Sequence, residues 1–303
     1  MPEAAPGVAS GAVRRLGLHV SIAGGLQQLP PRALRRHCNA AQLFTSSPAQ
    51  WARPPLAPEQ AAAFRGALVR ADLHPYFVHA IYLLNLASSS RTLRGRSLRH
   101  LAEELRRAEL LGAAGVVFHL GSAGERGRVS AAVARLARSL VEARERAGNQ
   151  VPLLLENSAG AGHTLGGTPA QMAEIIAQAP GAEPLRLCLD TCHAFAAGLP
   201  LHTESGLEEV LGTLAANSTH ERLALLHLND CRGEFAMHSD RHWHLGQGRI
   251  GRAALRRIVQ EPRLQALPVI METPGEESDD RRNMRVLRRW LPADQRPPRR
   301  RLR

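Results

Sequence analysis

Eight short apolar runs, separated by longer segments of helical character, recur along this 303-residue sequence. Their length and their content of Leu, Val, Ile and Phe are typical of buried β-strands. The predicted strands lie near 16–22, 40–46, 75–80, 115–121, 152–158, 185–191, 224–230 and 268–273. Strands that alternate with helices indicate parallel βα units. The length would allow one large domain or two small ones, and eight such units favour a single α/β domain, a (β/α)8 TIM barrel.

The segments between the strands carry apolar residues at helical spacing. In 97–111, for example, Leu98, Leu101 and Leu105 would form one apolar face. The helices predicted in this way span 58–71, 97–111, 128–147, 169–178, 205–217 and 278–290, and the helices after the first and seventh strands are less clear. We assign the barrel to 15–291, with a disordered leader at 1–14 and a basic, disordered tail at 292–303.

Six of the apolar runs end on a residue type that binds divalent metals. These residues are His79, His119, Glu156, Asp190, His227 and Glu272. In a (β/α)8 barrel the active site lies at the C-terminal face of the strands, so these six side chains should meet in one ring there. A carboxylate that follows several apolar residues, such as Glu156, would be costly to bury alone, and a cation relieves that cost.

Three further residues in the loops after the sixth and seventh strands, His193, Asp240 and His242, raise the candidates to nine. Since a zinc ion takes about four ligands and a carboxylate can bridge two ions, nine residues suit a cluster of two or three metals that performs hydrolysis. His244 competes with His242 as a ligand. His19, on the first strand, is expected to orient other groups rather than to bind metal.

The net charge is +12, and arginine supplies all of the positive charge in that sum, because the sequence contains no lysine. Arginine pairs bidentately with phosphate, which favours a polyanionic partner, although codon usage in a GC-rich genome also explains the missing lysine. The four cysteines form no regular framework, and Cys188 and Cys192 are interpreted as small buried residues. We therefore expect a reduced, cytoplasmic protein without a membrane segment.

Nine motifs, in order from about residue 16 to 275, resemble the endonuclease IV family, zinc-dependent apurinic/apyrimidinic endonucleases of the xylose-isomerase-like barrel superfamily. They are GLHVSIAGG, QLFTSSPAQW, VHAIYLLNLAS, FHLGS, LLLENSAGAG, CLDTCHAFAAG, LHLND, DRHWHLGQG and METP. The resemblance implies three zinc ions, with manganese as an alternative at one position. It also favours His242 over His244, because DRH is the matching motif.

The resemblance also distributes the ligands among the three ions. His79 and His119 would bind the first zinc, and Glu156 would bridge it to the second. The coordination of the second ion would be completed by Asp190, His227 and Glu272, and the third ion would be held by His193, Asp240 and His242.

The implied reaction is hydrolysis of the phosphodiester 5′ to an abasic site in duplex DNA, which leaves a 3′-hydroxyl and a 5′-deoxyribose phosphate. Removal of blocked 3′ ends is a further implied activity. Glu156 and Glu272 would be the catalytic carboxylates, since they would bind the zinc ions that hold the attacking hydroxide. A hydroxide held between two zinc ions is a strong nucleophile, so no separate protein base is needed. The resemblance also implies that the protein is a monomer.

Side chains from the barrel loops are expected to enter the bent duplex. The DNA contacts that we predict are Gln50, Trp51, Tyr82, Leu83 and Arg241. The chain departs from the family at Ala49, where an intercalating arginine is common. Arg53 is a candidate to replace that arginine.

Two other functions compete with this interpretation. A single-metal sugar isomerase or epimerase on the same barrel would use Glu156, Asp190, His227 and Glu272, but it has no need for the other five ligands. A catalytically weak DNA-damage binder would be consistent with Ala49, but a pure binder has no use for three metal ions.

Overall fold

The computed structural model describes residues 13–124 and 128–298. Eight parallel strands close into a barrel in the order β1-β10-β7-β6-β5-β4-β3-β2, which confirms the predicted (β/α)8 architecture. The barrel strands are β1 (Leu16–His19), β2 (Ala40–Leu43), β3 (Tyr76–His79), β4 (Val116–His119), β5 (Leu153–Glu156), β6 (Leu185–Asp190), β7 (Leu223–His227) and β10 (Val269–Met271). A two-stranded ribbon, β8 (Asp230–Cys231) with β9 (His242–Trp243), lies in the loop after β7.

Most strands are shorter than the apolar runs that predicted them. The run at 152–158, for example, contributes only Leu153–Glu156 to the sheet. The chain leaves the sheet just after the predicted metal ligands, so the end of each run forms the start of a loop on the C-terminal face. Pattern alone could not show this, because side chains in these loops are buried as well.

Nine helices surround the barrel in the described part of the chain. They are α1 (Leu29–Arg35), α2 (Pro58–Arg70), α3 (Arg91–Leu111), α4 (Val129–Ala147), α5 (Pro169–Ala177), α6 (Thr191–Ala196), α7 (Glu204–Ala216), α8 (Gly251–Gln260) and α9 (Glu277–Trp290). The start of α3 was predicted at 97 and lies at Arg91, because the Ser90 side chain caps the helix by accepting a hydrogen bond from the Leu93 amide. None of these helices combines the length and apolarity that a membrane crossing requires.

A layer of apolar side chains fills the barrel interior below the mouth. This layer consists of Ala40, Phe77, Val117, Leu154, Cys188, Leu225 and Ile270. Gly17 occupies the corresponding position of β1, where a Cβ atom would lie 2.3 Å from the Ala40 carbonyl oxygen. Because side chains of a strand alternate with a period of two, the residues two positions further on also point inward, at the barrel mouth.

Both ends of the described chain pack on the opposite end of the barrel. The buried guanidinium of Arg14 donates to the carbonyls of Val259, Leu264 and Leu267. The Arg14 amide donates to the carbonyl of Gln295, which ends a short 3-10 helix, Ala293–Gln295. Arg14 and Gln295 therefore pack with the barrel, although they lie outside the boundaries predicted at 15 and 291. The rest of the predicted leader and tail, 1–12 and 299–303, lies outside the described residues.

Candidate metal centre

Eight inward-pointing side chains, one from each barrel strand or the residue after it, form a ring at the mouth. They are His19, Gln42, His79, His119, Glu156, Asp190, His227 and Glu272. The parallel register places His119 beside Glu156 and Asp190 beside His227. All six strand-end ligands predicted from the sequence thus lie in one ring, and the two remaining strands contribute His19 and Gln42.

One donor cluster on the ring consists of His79, His119 and Glu156. The Nε2 atoms of His79 and His119 lie 3.1 and 3.6 Å from Oε2 of Glu156. Nδ1 of His79 is 2.7 Å from the Ala80 carbonyl oxygen, which can only accept, so Nδ1 donates to it. Nε2 is therefore the ring nitrogen that faces the cluster, and a cation bound there would replace the proton that Nε2 shares with Glu156.

The second cluster contains three carboxylates and one imidazole. Glu156, Asp190, His227 and Glu272 offer ligand atoms that all lie within 4.8 Å of one another. Nδ1 of His227 is 3.1 Å from Oε1 of Glu156 and 3.4 Å from Oε2 of Glu272. Glu156 and Asp190 have no solvent exposure. Three carboxylates this close repel one another, and two of them are fully buried, so the arrangement favours a bound cation.

The third cluster joins a loop and a helix end to the ring. Asp190, His193 and His242 offer donors within 4.8 Å of one another. Asp240 lies 3.3 Å from each of the two histidine Nε2 atoms, through different carboxylate oxygens. Asp190 also caps α6 by accepting from the His193 amide at 2.8 Å, and this places His193 over the mouth.

The positions of His244 and Cys192 bear on two questions that the sequence raised. His244 lies 3.2 Å from the side-chain nitrogen of Asn283 and belongs to none of the donor clusters found in the described part of the chain, whereas His242 belongs to two. Cys192, interpreted from the sequence as a packing residue, is buried, but its sulfur also lies within 4.8 Å of donors from Asp240 and His242.

The donor set fits zinc. It consists of imidazole nitrogens and carboxylate oxygens, which zinc and manganese both accept. In addition, Nε2 of His242 is buried without a hydrogen-bond partner, although it faces the carboxylates of Asp190 and Asp240 at 3.4 and 3.3 Å. A cation between these groups would satisfy all of them.

The charges of the ring shift its pKa values strongly. Burial alone would raise the pKa of Glu156, but the imidazoles of His119 and His227 outweigh it and hold that pKa well below its ordinary value. Burial alone would lower the pKa of His193, but Asp190 and Asp240 raise it well above its usual range. Glu156 therefore stays ionised at neutral pH, and binding of a cation would displace protons from imidazoles.

Two amides that we did not single out in the sequence orient the ligands. Gln42 is fully buried; its Nε2 donates to Glu272 at 2.6 Å and its Oε1 lies 2.9 Å from Nε2 of His227. Asn229 donates to Asp190 at 2.7 Å and accepts from the Glu272 amide at 2.8 Å. The strand period could have identified Gln42, because it is the polar residue of β2 at the ligand level.

The predicted DNA-contact residues differ in accessibility. Tyr82 is 62% exposed at the edge of the mouth, and its ring centroid lies 5.2 Å from that of Phe44. Gln50 and Arg241 are exposed, whereas Leu83 is partly buried against the core. Tyr82 and Phe44 also line the mouth cavity of about 410 Å³, together with members of the donor clusters such as His119, His193 and Glu272.

Trp51 is half-buried and lies against α3. Its ring meets the ring of His100 edge-on at 5.7 Å, and the guanidinium of Arg96 lies 4.5 Å from its centroid. Ala49, two residues earlier, is exposed.

Arg53 does not replace the arginine that the family commonly carries at position 49. Its guanidinium donates to Glu104 at 3.2 Å and to the His100 carbonyl at 3.1 Å, and its side chain is only 14% exposed. The suggestion that Arg53 enters the DNA is therefore not supported, because the guanidinium is bound to α3.

A closed parallel barrel whose mouth carries overlapping clusters of metal ligands defines an enzyme of the metal-binding TIM-barrel class. The family described as "Xylose isomerase-like TIM barrel" matches residues 32–293. "Probable endonuclease 4" of Methanoculleus marisnigri is 40% identical over 265 residues, which cover 86% of this chain and 93% of that protein. The corresponding protein of Chloroflexus aurantiacus is 37% identical and covers 90% of this chain and 97% of its own length.

The crystal structure of endonuclease IV from Thermus thermophilus is similar with a TM-score of 0.81 and 37% identity, over 91% of this chain and 98% of that chain. The chain therefore belongs to the endonuclease IV family, and the enzyme class predicted from its motifs is confirmed. A D-tagatose 3-epimerase-like protein, with 20% identity and a TM-score of 0.69, shares the fold.

Proposed function

We propose that this endonuclease hydrolyses the phosphodiester 5′ to abasic sites in duplex DNA and leaves a 3′-hydroxyl and a 5′-deoxyribose phosphate. Removal of blocking groups from 3′ ends is part of the same proposal, since it cleaves the same kind of bond. The observation that carries it is the linkage of three donor clusters through Glu156 and Asp190, each of which belongs to two clusters and is fully buried. We also propose that the enzyme works as a cytoplasmic monomer.

Three zinc ions suit the clusters, with manganese as an alternative at one position. The first would be held by His79, His119 and Glu156, the second by Glu156, Asp190, His227 and Glu272, and the third by His193, Asp240 and His242. Zinc lowers the pKa of a bound water to about 7 and neutralises charge on phosphate oxygens.

The protein's own part in catalysis is to orient the groups that hold the metal ions. Gln42 fixes Glu272 and His227, and Asn229 fixes Asp190, so the ligand atoms are held before DNA arrives. Tyr82 stands at the edge of the mouth, where a sugar that leaves the stack would enter. The net charge of +12 favours association with the polyanion.

The sugar-isomerase alternative has one argument in its favour, the shared fold with a D-tagatose 3-epimerase-like protein. At 20% identity that likeness extends only to the fold. A mononuclear sugar site would leave His79, His119, His193, Asp240 and His242 without a role, although all five lie in donor clusters or within 3.3 Å of one.

Incision of a duplex with one abasic analogue tests the proposal. The metal-loaded enzyme should cut on the 5′ side of the analogue and leave an end that a DNA polymerase extends. Chelation should abolish the cut, zinc should restore it, and elemental analysis should give about three metal ions per chain. The intact duplex is the control. An uncut abasic duplex together with one metal per chain and epimerisation of a ketohexose would establish the alternative function.

A further inference from the structure

The first turns of α3 carry an unusual concentration of positive charge. Arg91, Arg94, Arg96 and Arg99 lie within nine residues, and the first acidic residue of the helix is Glu103. Since α3 follows β3, it begins on the side of the barrel where the strands end, which is the side of the metal centre. The charge is therefore close to the mouth and not on the opposite face of the barrel.

Helix stability does not account for this charge. Cations in the first turn oppose the helix dipole, which favours anions there. Among the described residues, no carboxylate forms an ion pair with Arg91, Arg96 or Arg99, whereas Arg106, further along the same helix, pairs with Glu103 at 3.0 Å. Arg94 has a different role, because it donates to the Ser88 carbonyl at 2.6 Å and holds the loop before the helix.

Arg96 lies where α3 meets the loop that carries Trp51. It is exposed, and its guanidinium lies 4.5 Å from the centroid of the Trp51 ring. The loop that carries Trp51 starts at Phe44, which lines the mouth cavity. This loop therefore runs from the mouth cavity to Arg96 on α3. An aromatic support also restricts Arg96 and reduces the entropy lost when it binds an anion.

We propose that Arg96 and Arg99 of α3, which are three residues apart and so share one face of the helix, form a surface that binds backbone phosphates of the DNA beside the abasic site, with Arg96 supported on Trp51. The inference rests on the proposed function, because it takes DNA as the substrate. The guanidinium matches phosphate with two parallel N–H donors, and exposed arginines without acidic partners are free to do so. We call this pair the α3 phosphate surface.

The salt dependence of DNA binding tests the α3 phosphate surface. Binding of the zinc-loaded enzyme to an intact duplex, which is not a substrate, is measured by fluorescence anisotropy at several salt concentrations. Arg96→Gln should lower the slope of log K against log salt by about 0.9, and Arg96→Gln with Arg99→Gln by about 1.8. At 0.1 M salt the single substitution should weaken binding roughly fivefold to tenfold. Arg96→Lys should keep most of the slope, because it keeps the charge.

Arg256→Gln is the matched control, since Arg256 is exposed near the C-terminal end of α8 and loses the same charge. It should leave the slope unchanged. A slope for Arg96→Gln equal to that of the wild type, or an equal loss in Arg256→Gln, would overturn the α3 phosphate surface. Wild-type enzyme that binds duplex with the expected variant effect but does not cut an abasic site would overturn only the proposed function.

Discussion

Two buried clusters of charged side chains lie on the same side of this barrel, and they differ in how their charge is balanced. At α3, Glu104 is neutralised by protein alone: it accepts hydrogen bonds from Thr45 and Arg53, while Arg107 donates to Thr45 and to the Pro54 carbonyl. At the mouth, no arginine of the described ranges forms an ion pair with the carboxylates, and their partners are histidines. These carboxylates are Glu156, Asp190, Asp240 and Glu272.

The pKa shifts in the two clusters run in opposite directions. Burial raises the pKa of Glu104 in spite of the arginines beside it. At the mouth, the imidazoles outweigh burial and lower the pKa of Glu272 as well as that of Glu156 well below their ordinary values. The α3 cluster is complete and holds the loop at 45–56 in place. The mouth keeps ionised carboxylates together, the state that binds a cation.

Glu156→Ala should have the largest effect, because it removes the carboxylate shared by two donor clusters. We expect incision of the abasic duplex to fall by at least about a thousandfold, the order of loss seen when a central catalytic group is removed. Single-turnover assays and metal analysis would measure it. Glu145→Ala, at an exposed position of α4, is the control. Near-normal turnover in Glu156→Ala would show that the centre is misassigned.

Gln42→Met should have the next largest effect on incision. The substitution keeps the size of the side chain but removes the hydrogen bonds to Glu272 and His227. We expect a loss of roughly 10- to 100-fold in metal affinity or turnover, as is typical when a group that orients metal ligands is removed. Gln178→Met, at the exposed end of α5, should change neither. Full activity at limiting zinc would contradict the orienting role.

Glu104→Ala should affect stability and not metal content. It leaves Arg53 without its carboxylate in a buried network, so we expect the free energy of unfolding to fall by about 3 kcal/mol. The same measurement on Glu103→Ala, whose exposed pair with Arg106 is weak, should change by less than about 0.5 kcal/mol. Thermal unfolding and elemental analysis check both variants. Loss of zinc from Glu104→Ala would mean that the two clusters are coupled.

Ala49→Arg should have the smallest effect. Ala49 is exposed on the loop that the α3 cluster holds, so an added guanidinium can reach a phosphate or the helix groove without crowding the core. We expect binding to an abasic duplex to be unchanged or tighter, by at most about tenfold. Ala253→Arg, at an exposed position of α8, controls for the added charge. Weaker binding would indicate that the loop is built around alanine.

Much of the candidate site could be predicted because each of its strand-end residues follows an apolar run. A buried strand has few polar residues, so a carboxylate or imidazole at its end is visible in the pattern, as with Glu156 and His227. Gln42 was missed because an amide is not a metal ligand type. The hydrogen bond from Arg53 to Glu104 was missed because the two residues are 51 positions apart in the sequence.

The sequence by itself determined the barrel, the level of the ligands on its strands and the family, since period and motif order are local properties. Only the tertiary structure decided that Gln42 and Asn229 orient the ligands, that Arg53 is bound to α3, and that Trp51 supports Arg96. These relations depend on the closure of the barrel and on the packing of loops across it. They join residues that are far apart in the chain, and a local sequence pattern does not give the spatial distance between such residues.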